Sequence, residues 1–222
     1  MADTIITVRG EFTIHHPAER ATVRFTVGFE GSRRDEAMAP TVDLHHDLSE
    51  EIETMLDAEN GPVTWWSSDD IHVWGQRPWN QDGEQLPIVY RSAIDVDVKF
   101  SNFSTLGDWV GAVAIRDGVT ILGVEWALTE ARQESVTLAA RKRAVDNAVS
   151  KATVYATSLG LGNVRPVALS DPGMLGDAPT TTTAQGTQLM SARIAAPAGQ
   201  QLELKPEDIT VRVEVDARFA AS

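Results

Sequence analysis

Alanines recur at every fourth position from Ala140 through Ala144, Ala148 and Ala152 to Ala156, and the run stops at Leu159-Gly160-Leu161-Gly162. Four residues advance an α-helix by about 400°, so these side chains form one slowly drifting ridge. A ridge of methyl groups lets the helix axis lie close to whatever it packs on. Val145 and Val149 widen the apolar stripe, while Arg141, Lys142, Arg143, Asp146 and Lys151 are left to face water. Gly160 and Gly162 supply the conformations that close a helix. The spacing predicts a long helix from about Glu130 to Leu159 that is covered along one side.

Three segments alternate with period two. Ala21, Val23, Phe25, Val27 and Phe29 form the apolar half of the first. Ile94, Val96, Val98 and Phe100 form that of the second, and Ile209, Val211, Val213, Val215 and Ala217 that of the third. Each reads as a strand with one buried and one polar face, which suits an antiparallel sheet covered on a single side. Shorter strands are expected at 5–8, 63–66, 71–74, 120–128 and 164–169. Between them, 35–58 carries Met38, Val42, His45, Leu48, Ile52 and Met55 at helical spacing, with Pro40 either near its first turn or at a kink, and Asn60-Gly61-Pro62 as the stop. A shorter helix is expected over 104–114, capped by Ser104.

The expected class is therefore α+β, mainly an antiparallel sheet with helices packed on one face. The expected organisation is a single domain over 1–222, with a core of about 4–170 and 207–219. The excursion 171–206 has the composition of a long loop: Pro172-Gly173, Gly176, four threonines at 180–183 and Pro197-Ala198-Gly199. Long loops in compact domains are commonly functional or contact elements.

A formal net charge of −13 argues against a nucleic-acid partner, because phosphate binding needs clustered Lys and Arg. The chain has no cysteine, which excludes disulfides and thiolate chemistry. No run of roughly 18 apolar residues offers a membrane span. Met1-Ala2-Asp3-Thr4 carries no basic-then-apolar leader, so a cytoplasmic location is expected.

The elements and their order resemble the SIMPL-domain family of bacterial proteins. Ile6-Thr7-Val8-Arg9-Gly10 is similar to its apolar-x-Val-x-Gly opening, and Asp35-Glu36-Ala37 to its entry to the first helix. The segment from Gly118 to Leu128 resembles the strand before its long helix. The alanine helix ending Gly160-Leu161-Gly162-Asn163-Val164 matches best, and Pro197-Ala198-Gly199 before the 209–215 strand resembles its closing turn and strand. The resemblance covers about residues 4–219. It implies no catalytic residues, since activity across the family is poorly defined. It does imply homo-oligomeric assembly and a link to stress tolerance.

Candidate chemistry is sparse. Adjacent histidines diverge, so His45-His46 reads as one packed and one solvated ring. His15-His16, before Pro17, reads as an exposed turn. Asp70 and His72 alternate onto one strand face, but a metal needs three or four convergent ligands. Gly160-Leu161-Gly162 follows a helix instead of a strand, and Arg165 stands where a dinucleotide loop needs its third glycine. The pairs Asp95/Asp97 and Glu125/Glu130 read as solvated carboxylates. No enzyme activity, cofactor or metal is expected.

Tryptophan offers more. Trp65 and Trp66 point to opposite faces of a strand, and Trp74 and Trp79 flank Gly75-Gln76-Arg77-Pro78, so the segment reads as a tryptophan-rich hairpin. Exposed Trp beside Arg is common at contact surfaces. With Met174, Leu175, Leu189 and Met190 of the long loop, residues Trp65, Trp66, Trp74, Arg77 and Trp79 form the candidate interface. The leading function is that of a non-enzymatic, self-assembling homo-oligomer. The alternative is a binding module that holds an apolar or aromatic ligand, or a protein partner, on the hairpin.

Overall fold

A computed structural model describes residues 3–79, 85–176 and 204–222. The fold is α+β, as the patterning requires. Its strands divide between two antiparallel sheets, and the chain falls into two compact units.

Of the described residues, the first unit takes in 3–17, 128–176 and 208–222. It contains β1 (Thr4–Pro17), α3 (Glu130–Ser158), β7 (Arg165–Ser170) and β8 (Asp208–Ala221). The sheet order is β1-β8-β7, so the closing strand is central. It is paired with β1 over its whole length, from Thr4 opposite Ala221 to Pro17 opposite Asp208. Strand β1 is far longer than the four residues expected. It takes in His15 and His16, which lie opposite Thr210 and Ile209 and not in a turn. Their neighbours explain the error: Pro17 ends the strand but does not prevent the residues before it from being extended.

Helix α3 lies on the face of this sheet that carries Ile6, Val8, Val215, Ala217 and Phe219, and Ala144, Ala148, Ala152 and Ala156 are buried against it. Gly160 has φ +72° and ends the helix. The Leu161 N–H donates to Ala156 O at 2.9 Å and the Gly160 N–H to Thr157 O at 3.0 Å, while Leu161 packs back on the same core. This is the paired-bond C-cap that a left-handed glycine permits.

Of the described residues, the second unit takes in 18–79, 85–127 and 204–207. It contains β2 (Arg20–Gly31), α1 (Arg34–Met55), β3 (Val63–Ser68), β4 (His72–Gln76), β5 (Val89–Phe100), α2 (Phe103–Val113) and β6 (Val119–Ala127). The sheet order is β3-β5-β2-β6, with β4 also on β5. The inward residues are those of the period-two pattern: Val23, Phe25, Val27, Val96, Val98 and Phe100 pack with Leu48 and Ile52 of α1 and with Leu106, Trp109 and Val110 of α2. Trp109 sits between Phe25 and Phe100, with ring centroids at 5.6 and 5.5 Å. Under α1, the Ser92 and Thr41 hydroxyls both donate to Ala37 O, at 2.7 and 3.0 Å, so this buried polar pair is satisfied.

Two helix signals differ from the sequence reading. Pro40 lies inside α1, past its first turn. The α2 cap is Asn102, whose side chain accepts the Thr105 N–H at 3.0 Å, and not Ser104. Asn and Ser are comparable caps, and the backbone at Asn102 is already extended, as a cap position demands.

Candidate functional site

The tryptophan segment is not a hairpin. Strands β3 and β4 do not pair with each other; both run antiparallel to β5, β3 along Val96–Phe100 and β4 along Val89–Ala93. Between them the Asp69 N–H still donates to Asp95 O at 2.9 Å. Among the described strands, residues 63–76 are thus one interrupted edge, and Asp69-Asp70 forms a break in it instead of a reversal. Two adjacent aspartates are poor strand formers, which makes them look like a turn in sequence.

The register settles which way each ring points. Trp66 lies opposite Val98 and packs on the core. Trp65 lies opposite Lys99, is 45% exposed, and stands under the Lys99 ammonium at 5.2 Å from the ring centre. Trp74 lies opposite Arg91, on the same open face as Trp65, and its ring stacks on His72 at 5.2 Å. Trp79, beyond β4, is 81% exposed. The Arg77 guanidinium donates to Leu86 O at 3.0 Å.

Charged residues fill the open face between the two tryptophans. Arg24 pairs with Asp97 at 3.0 Å, and Arg91 pairs with Glu30 at 2.8 Å. The hydrogen bond to Asp97 raises the Arg24 pKa. Asp95 accepts the Thr26 hydroxyl. Lys99, Arg24 and Arg91 are parts of this surface that the sequence reading passed over. Their alternation with Val96, Val98 and the β2 apolar residues marks the face, but nothing local marks which charges will meet.

A second feature lies in the first unit, on the sheet face away from α3. The segment 171–176 lies against β1 and β8 and borders a groove of about 250 Å³ lined by Arg9, Leu175, Asp216 and Arg218 among others. Arg9 pairs with Asp216 at 2.8 Å and with Glu214 at 3.2 Å. The Arg9 hydrogen bond holds the Asp216 carboxyl below its usual pKa, and the Gly173 N–H adds to this with a bond of 2.8 Å. Leu175 therefore has a place in a groove, whereas Met174 is 74% exposed. Leu189 and Met190 lie outside the described residues.

His45 is half-buried on α1, and burial lowers its pKa; its Nε2 has no hydrogen-bond partner among the described residues. His46 is exposed and 3.4 Å from Glu50. Among the described residues no three His, Asp or Glu side chains converge as a metal site would need, and no helix is long and apolar enough to cross a membrane.

The architecture defines an α+β protein built on two antiparallel sheets, one covered on one face by α3 and the other by α1 and α2. The chain belongs to the SIMPL family: the family model, described as a protein of unknown function (DUF541), matches residues 6–219. No curated protein matches the chain.

Proposed function

We propose that this SIMPL protein works by self-association and not by catalysis, as a homo-oligomeric scaffold linked to stress tolerance. The observation that supports the reading is the set of large apolar side chains left in water beside completed cores. Trp79 and Met174 are 81% and 74% exposed, and Trp65 is 45% exposed. Rigid aromatic side chains of this kind dominate the energetics of many interfaces. The net charge of −13 opposes association, so the contacts must be apolar enough to offset it, and assembly strengthens as salt screens the repulsion. Size-exclusion chromatography with light scattering tests the reading. It predicts a defined multiple of the 24.1 kDa chain mass that is favoured at higher salt; a monomer at micromolar concentration removes it.

A second reading is favoured by one observation, that Trp65 and Trp74 share the open face of the β5 sheet. On this reading the face binds an apolar or aromatic ligand, or a protein partner. Indole fluorescence follows it: a ligand that shifts wild-type emission must lose its effect in Trp65→Ala or Trp74→Ala for the reading to stand.

A further inference from the structure

Among the described strands, β1 is an edge of its sheet, and it runs for 14 residues. A long edge strand offers a row of backbone donors and acceptors to any strand that approaches. On β1 the middle of that row is already occupied. The Glu11 N–H donates to Asn147 Oδ1 at 3.1 Å, and Arg9 O accepts from Lys151 Nζ at 3.0 Å. Both partners are side chains of α3, one turn apart. Residues 9 and 11 have the same parity, so both direct their backbone groups away from β8, to the outer edge. Ile5, Thr7, Thr13 and His15 share that direction.

The two side chains stand where a neighbouring strand would place its own carbonyl and N–H. They can do so because α3 sits unusually close to β1 at Gly10, where a β-carbon would overlap Ala144 O and fall 2.8 Å from Ala148 Cβ. Lys151 also reaches Glu11 Oε1 at 3.4 Å, which fixes its ammonium at the edge. A strand docking there would have to displace both bonds and cover a charged amine, which natural edges use to discourage pairing.

We propose that Asn147 and Lys151 form a cap that seals the β1 edge against strand addition by a second copy of this chain. The surface beneath the cap is self-complementary, because an antiparallel pair of β1 strands related by a twofold axis exposes the same backbone groups to each other. The proposal does not depend on the self-association proposed above. It concerns what the variant gains over wild type, whatever mass wild type has.

The test compares wild type with Asn147→Ala/Lys151→Ala by light scattering and by amide hydrogen exchange of the 5–15 segment. The double variant is expected to keep its far-UV circular dichroism, to reach about twice the wild-type mass or more, and to exchange more slowly over 5–15 when associated. Asn147→Asp, which keeps the acceptor for the Glu11 N–H, is expected to stay at the wild-type mass. A folded double variant of unchanged mass overturns the proposal. So does a heavier one whose 5–15 amides are not slowed, because its contacts then lie elsewhere. Should the double variant not fold, Asn147→Ala and Lys151→Ala are read singly by the same two measurements, with the same outcomes deciding.

Discussion

Gly10 of β1 lies directly under Ala148 of α3, and a β-carbon at position 10 would come within 2.8 Å of the Ala148 methyl. Two motifs that are far apart in sequence are therefore the two halves of one contact. The glycine of the opening Val-x-Gly and the alanine ridge let a helix and a strand approach closely. Gly10→Ala is expected to destabilise the fold by about 1–3 kcal/mol, the usual cost of overpacking. Ala148→Gly should fail to rescue it, because the nearer obstacle is the backbone carbonyl of Ala144. Urea denaturation of the two single variants and the double checks this; a full rescue contradicts the geometry.

The same seam distinguishes the two sides of α3. Ala148 is fully buried and Arg141 is exposed. Ala148→Leu should lower stability by about 1–3 kcal/mol, whereas Arg141→Leu should stay within about 0.5 kcal/mol. Equal melting temperatures for the two would mean that the helix is rotated from the position described.

Removing residues 207–222 deletes β8, the central strand that joins β1 and β7. Both neighbours would lose their only partner among the described strands, and the apolar face under α3 would open. Insoluble protein is expected on expression. A soluble truncation with a cooperative melt would contradict the role given to β8.

The tryptophans should separate by face. Trp109→Ala empties a site packed between Phe25 and Phe100 and should cost about 3–5 kcal/mol. Trp65→Ala removes a ring from the open face and should cost far less, about 1 kcal/mol, reflecting its contact with Lys99. Thermal denaturation of both variants is sufficient to compare them.

Two groups predict how stability depends on acidity. The pKa of Asp216 is lowered in the folded protein, chiefly by its hydrogen bond from Arg9. Its contribution is complete above the ordinary aspartate value, about 3.9, and is lost as pH falls through the lowered folded value. Asp216→Asn should flatten that part of the acid limb. The pKa of His45 is lowered by burial, so the unfolded chain binds its proton more readily. Its contribution is present above about 6.5 and is lost as pH falls through the lowered folded value. His45→Leu should reduce the loss of stability between neutral and mildly acidic pH. Urea midpoints measured across the pH range test both; unaltered slopes would remove the assignments.

Local pattern revealed much of this protein. The period-two residues of β2, β5 and β8 face the cores as their alternation requires, and the ridge from Ala140 to Ala156 is buried along its length. Alternation, however, specifies only which face of a strand is apolar. It says nothing about the neighbour, so the separation into two sheets was not legible, and neither was the joining of β3 and β4 along β5. The aspartates at 69 and 70 resemble a turn until the β5 ladder is seen to continue through Asp69.

The sequence by itself determined the helix and strand types, the buried side of each, and the glycine and alanine positions that make close packing feasible. These depend on steric preference and hydrophobic periodicity within about ten residues of chain. Only the tertiary structure decided that Trp65 and Trp74 share an open face, that Arg9 meets Asp216, and that Asn147 and Lys151 occupy the edge of β1. Those relationships join residues that are far apart along the chain. They are set by which strands pair and in what register, and a shift of one residue would exchange every side chain between faces.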